Sequence, residues 1–122
     1  MVARFVQRFG RIDILVNNPY RWQESHFLDI SEADWDSTMG VCLKSYFLCS
    51  QSAARVMVAQ GDGGSIVSTS SVHAKRVWPG DTTYGIAKAG ILRARPCCSL
   101  GVVTILSLLL RLPRFYRIEI HE

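Results

Sequence analysis

"GGSIVSTSSVHAKRVWPGDTTYGIAK", residues 63–88, sets a short apolar, hydroxyl-rich run ahead of a turn-rich loop and then a helix-forming stretch. The run "SIVSTSS" (65–71) reads as a strand. A loop containing Trp78, Pro79 and Gly80 leads to Asp81 or Thr82, either a fair helix cap. The helix so opened should end before Pro96, whose ring and missing N–H break the ladder. Tyr84 and Lys88 stand four residues apart, so helical periodicity puts them on one face. An ammonium that close would lower the phenol's pKa. Alone, the spacing fits a solvated helix face better than a proton-transfer pair.

The residues on the N-terminal side give this stretch a setting. Met1 to Phe9 carries Val2, Phe5, Val6 and Phe9 on one helical stripe, with Gly10 as its stop. "IDILV" (12–16) follows, a nearly continuous apolar run of the kind buried on both faces of a parallel sheet. Residues 17–30 form a loop. Ser31 and Asp34 have capping-box spacing and open a helix expected to reach about Ala59. Its stripe of Trp35, Met39, Cys42, Tyr46, Cys49, Ala53 and Met57 reads as core. "GDGG" (61–64) precedes a strand rather than a helix, so it offers no helix N-terminus to a phosphate and simply stops the long helix. Helix, strand, helix, strand, helix is the rhythm of an α/β sheet.

The bulk numbers agree with one globular domain: 122 residues, 48% hydrophobic, 20% charged. Cys42, Cys49, Cys97 and Cys98 contain no Cys-x-x-Cys pair, which fits reduced thiols in a cytoplasmic protein. His26, His73 and His121 lack metal-ligand spacing. The net charge of +4 is weighted to the end of the chain by Arg93, Arg95, Arg111, Arg114 and Arg117. No zinc-finger, helix-turn-helix or aromatic-basic pattern accompanies them, so a nucleic-acid partner is not expected. The apolar stretch 99–110 is shorter than the ~20 residues that span a bilayer, so no membrane partner is expected either.

Three features now converge. Asn17 and Asn18 end one strand, Ser71 ends the next, and Tyr84, thirteen residues after Ser71, starts the following helix with Lys88. In open α/β sheets ligands bind beyond the carboxyl ends of the strands, and all three features lie at that edge. "GRIDILVNN", "WDSTMGVCLKSYFLC", "GGSIVSTSS" and "YGIAK" together resemble the short-chain dehydrogenase/reductase family from about Val2 to Ile91. The resemblance implies an α/β fold, a Rossmann-like doubly wound parallel sheet missing its first half. It also implies oxidoreduction of an alcohol or carbonyl substrate with NAD or NADP. Tyr84 would be the general acid/base, Lys88 would tune it and hold the nicotinamide ribose, and Ser71 would orient the substrate oxygen. Asn17 would support the cofactor side. His73 reads as a partner-free loop histidine, and the roles of Tyr20 and Trp78 stay open.

The pattern also breaks. The family's glycine-rich Thr-Gly-x-x-x-Gly-x-Gly entry does not occur in the sequence. Cys42 stands where the family has an asparagine in a water relay, and a thiol is a weak donor and acceptor. Pro19-Tyr20 replaces Ala-Gly. After residue 92 the resemblance stops, so residues 1–92 read as a partial domain and 93–122 as a divergent segment. Without its neighbour, "IDILV" becomes an exposed edge, a route to self-association. A non-catalytic module pairing with a full-length relative is the alternative reading. The finish from residue 93 has the character of translation in a shifted frame. Reading the encoding DNA in all three frames should recover a family-like continuation, and finding none would end that explanation.

Overall fold

The computed structural model describes residues 1–93 and, for their backbone, 103–110. The elements run α1 (Val2–Phe9), β1 (Ile14–Asn17), α2 (Glu32–Met39), a π-helical turn (Gly40–Lys44), α3 (Ser45–Gln60), β2 (Gly64–Ser71), α4 (Thr82–Arg93) and β3 (Val103–Leu110). Short 3₁₀ turns at Phe27–Asp29 and Val72–Ala74 punctuate the loops. Among the described residues the sheet has three strands in the order β1-β2-β3, all parallel. Leu15 lies beside Ile66 and Asn17 beside Ser68, so the strand ends carrying Asn17 and Ser71 share one rim. Much of the expected divergent segment lies outside the described residues, but its apolar run supplies β3 in register with the whole of β2.

The local signals act as their chemistry dictates. Ser31 Oγ accepts the Asp34 N–H at 3.1 Å, opening α2. Asp34 answers through its carboxylate to the Ser31 hydroxyl at 2.7 Å, because the shorter side chain reaches that group. Gly61 closes α3 in the left-handed region with φ 84°. Gln60, at the end of α3, accepts the Ile12 N–H at 2.8 Å and donates to the Ile12 carbonyl at 3.0 Å. One amide thus pins the start of β1 to the end of α3.

Two expectations need correction. The helix over 31–59 is interrupted: the Ser45 N–H bonds Gly40 O, five residues back, and the turn between is π-helical. The apolar stripe at three- and four-residue steps survives this extra residue, so periodicity could not reveal it. Buried Cys42 sits inside the turn. Secondly, β1 is buried on one face only. Leu15 and Asn17 face inward, whereas Ile14 is 65% and Val16 62% exposed.

The covered face carries the core. Val2, Ile12, Leu15, Ala53, Met57 and Ile66 form one cluster between α1, α3 and the sheet. Complete burial of Met57 and Ile66 stabilises by roughly 1.5–3 kcal/mol each. Ser70 Oγ donates to the Lys88 carbonyl at 2.9 Å, bringing α4 against the same sheet. Among the described residues, no helix is long and apolar enough to cross a membrane.

The open face of β1 predicts self-association of the chain. Replacing both Ile14 and Val16 with Lys should shift sedimentation velocity toward monomer while leaving helix content by circular dichroism unchanged. An unaltered sedimentation profile would place the association elsewhere.

Candidate functional site

The site is assembled where β2 ends and α4 begins. Ser71 is the last residue of β2, and its Oγ accepts the His73 N–H at 3.4 Å. That bond uses one of the oxygen's two lone pairs and leaves the hydroxyl proton to be directed at the Tyr84 oxygen. Tyr84, in the first turn of α4, is 7% exposed, and its phenol is hydrogen-bonded to Ser71. Ser70, the neighbouring candidate, instead turns to the backbone of α4 through the Lys88 carbonyl. The alternation of a strand decides between the two serines.

Lys88 lies one turn further along and is 1% exposed. Its Nζ donates to Pro19 O at 2.7 Å and to Thr69 O at 3.0 Å. The ammonium therefore ties the loop after β1 and the end of β2 to α4. It stands 5.5 Å from the centre of the Tyr84 ring. Burial lowers the Lys88 pKa, since a charge taken out of water is disfavoured. Burial likewise raises the Tyr84 phenol above its ordinary value, with the Ser71 hydrogen bond opposing. This corrects the expected effect of Lys88 on the phenol. The ammonium is directed at two carbonyls rather than at the hydroxyl, and desolvation governs Tyr84.

Asn17 is buried and donates from Nδ2 to Ser50 Oγ at 2.9 Å, joining β1 to α3. Cys42 packs against Tyr84 and Ala87, and its Sγ–H contacts Arg21 O at 3.7 Å. Burial raises its thiol pKa, so it stands there as a neutral group.

The structure also overturns the reading of His73 as partner-free. Its Nδ1 lies 2.8 Å from Asp81 Oδ2, and the Asp81 side chain is only 4% exposed. The ring stacks on Trp78 and meets Trp22 and Tyr84 edge-on, at centroid distances of 5.4, 5.1 and 5.5 Å. Tyr20 and Trp22 both present edge contacts to Tyr84. The sequence placed these rings in loops. Only the meeting of those loops made them a wall around Tyr84. Among the described residues no cluster of His, Cys, Asp and Glu could hold a metal ion.

Comparison with known proteins follows from this geometry. The family model described as enoyl-(acyl carrier protein) reductase matches residues 1–95. The chain belongs to the short-chain dehydrogenase/reductase family. The uncharacterized oxidoreductase YohF of Escherichia coli is 44% identical over 87 residues, covering 71% of this chain and 34% of that protein. The 2-dehydro-3-deoxy-D-gluconate 5-dehydrogenase of Escherichia coli is 38% identical over 92 residues, covering 75% and 36%. The crystal structure of acetoin dehydrogenase from Enterobacter cloacae is 35% identical with a TM-score of 0.81, covering 87% of this chain and 44% of that one. The chain thus spans about a third of the length of these curated relatives. Its sheet and helices are part of the family's Rossmann fold.

The raised phenol gives a direct test. The tyrosinate absorbance assigned to Tyr84, taken as the difference between the chain and Tyr84→Phe, should appear only above the ordinary value of 10.0. A group with a raised folded pKa contributes stability that is fully present below the unfolded value and lost as pH rises through the folded one. Stability should therefore fall on alkaline titration beyond pH 10 less steeply in Tyr84→Phe. A difference spectrum developing below pH 10 would contradict the burial argument.

Proposed function

We propose that the chain carries the proton-transfer half of an NAD(P)-dependent oxidoreductase site acting on an alcohol or carbonyl group. The observation that supports this most is the hydrogen-bonded Ser71–Tyr84 pair at the carboxyl edge of the sheet, underlain by the Lys88 ammonium. Ser71 would turn its hydroxyl from the Tyr84 oxygen to hydrogen-bond a substrate oxygen placed between them. Tyr84, held protonated by burial, transfers the one proton that this oxygen takes up as the carbonyl is reduced, while Ser71 keeps its own and only hydrogen-bonds.

NAD or NADP, when bound, exchanges hydride with the substrate carbon. The residues present fit only its nicotinamide-ribose end. Lys88 has spent two of its three N–H donors on carbonyls and keeps one, and Tyr84 is beside it. Asn17 serves that side indirectly, by fixing the end of β1 to Ser50. For the pyrophosphate, the sequence holds no glycine-rich turn opening a helix after a strand.

The substrate class is narrowed by likeness alone. Solved structures similar to this chain include acetoin dehydrogenases, and acetoin is a small α-hydroxyketone. A second reading, a non-catalytic module that pairs with a full-length relative or with itself, draws on the exposed Ile14 and Val16. Titration of NADH and NADPH fluorescence separates the two: micromolar enhancement supports the enzyme, and none at millimolar cofactor supports the module.

Grafting residues 10–93 onto the matching positions of the acetoin dehydrogenase YohF of Salmonella typhimurium sets them in a longer relative for a kinetic test. The graft should reduce acetoin, and Tyr84→Phe within it should lower kcat by about 10²–10⁴ with cofactor affinity unchanged. Turnover that persists in Tyr84→Phe would remove the assigned role.

A further inference from the structure

His73 is held in a way that no function yet discussed requires. Asp81, buried at the start of α4, is an acceptor when ionised, so the contact at 2.8 Å has His73 Nδ1–H donating to it. This occupies Nδ1 and leaves Nε2 as the ring's remaining polar atom. No described residue hydrogen-bonds Nε2, and it is not among the buried unpartnered atoms. The ring cannot turn away, because Trp78 stacks on one side and the edges of Trp22 and Tyr84 close the others. Position 85 is glycine, and a Cβ there would meet His73 O at 3.2 Å and Asp81 Oδ2 at 3.3 Å. The pair therefore lies flat on α4 where a side chain would crowd it.

We propose that His73, oriented by Asp81, is a specificity-determining residue whose Nε2 hydrogen-bonds a substrate hydroxyl next to the reacting carbonyl. Two placements support this. Its backbone N–H already bonds Ser71 Oγ, and its ring centre is 5.5 Å from that of Tyr84. The imidazole is thus a neighbour of both groups that would receive the reacting oxygen. With Nδ1 committed to Asp81, the imidazole has Nε2 left to hydrogen-bond a second substrate oxygen. A hydroxyl can serve there as donor or acceptor, and the substrate class is an α-hydroxyketone or, in the reverse direction, a vicinal diol. The indole rings of Trp22 and Trp78 offer the carbon skeleton apolar walls. This inference rests on the oxidoreductase reading above, and its test separates the two.

The experiment is chemical footprinting of the 122-residue chain, with mass spectrometry resolving each site. Diethyl pyrocarbonate reports His73, with exposed His26 as the reference in the same sample, and N-acetylimidazole reports Tyr84. Millimolar 3-hydroxybutan-2-one should slow His73 modification relative to His26, by about fivefold at a concentration of about four times its Kd. Butan-2-one, which lacks the hydroxyl, should leave His73 unprotected, while both ketones protect Tyr84. In Asp81→Leu the protection of His73 should vanish. Because that variant could disturb the start of α4, the comparison of ketones on the unaltered chain is the deciding one.

Protection of Tyr84 without any at His73 would overturn this proposal and leave the oxidoreductase reading standing. Equal protection of His73 by both ketones would overturn the claim for a second oxygen. No protection at either residue would overturn both.

Discussion

A lysine ammonium sealed from water must find oxygen. Lys88 finds two carbonyls far apart in sequence, Pro19 O in the loop after β1 and Thr69 O near the end of β2. An unpaired charge at such depth would cost far more than a domain of this size can spare. The loop, the strand end and α4 therefore have one mutual arrangement in which the charge is satisfied. Tyr84 stands one turn before Lys88, and Ser71 two residues after Thr69. Fixing the ammonium thus fixes the phenol and hydroxyl as well. The two carbonyls also explain why Lys88 does not act on the Tyr84 hydroxyl directly.

The same sheet that organises this rim is closed on one side only among the described residues. Leu15, Ile66 and Met57 lie under α1 and α3, whereas Ile14 and Val16 face outward on the opposite side of the edge strand. A strand alternates its side chains, so an unbroken apolar run such as "IDILV" is economical only when both faces are covered. The share of its relatives that this chain spans, 34% of YohF for example, is consistent with that imbalance. The physics that builds the rim and the physics that leaves the edge open are therefore separable.

Around the phenol, the loops contribute aromatic surface in place of a hydrogen-bonded relay. Cys42 occupies the π-helical turn against Tyr84 and Ala87, with its thiol kept neutral by burial. Tyr20, Trp22, His73 and Trp78 complete a wall in which the His73–Asp81 pair supplies the polar element. An acid in these surroundings holds its proton firmly, as the raised Tyr84 pKa records.

The residues alone were enough for the alternation of elements, for the serine at the end of β2 and for the Tyr84–Lys88 pair, because strand and helix periods are local properties. Capping at Ser31 and the stop at Gly61 were equally local. Long-range satisfaction of polar groups was not legible. That Lys88 would turn to Pro19 and Thr69, that Asn17 would bind Ser50, and that His73 would be held by Asp81 depended on loops meeting in space. The π turn was hidden because one extra residue leaves a three-or-four-residue stripe intact. Sequence determined which groups could do chemistry; the tertiary structure decided which of them water could reach, and so which way each pKa moved.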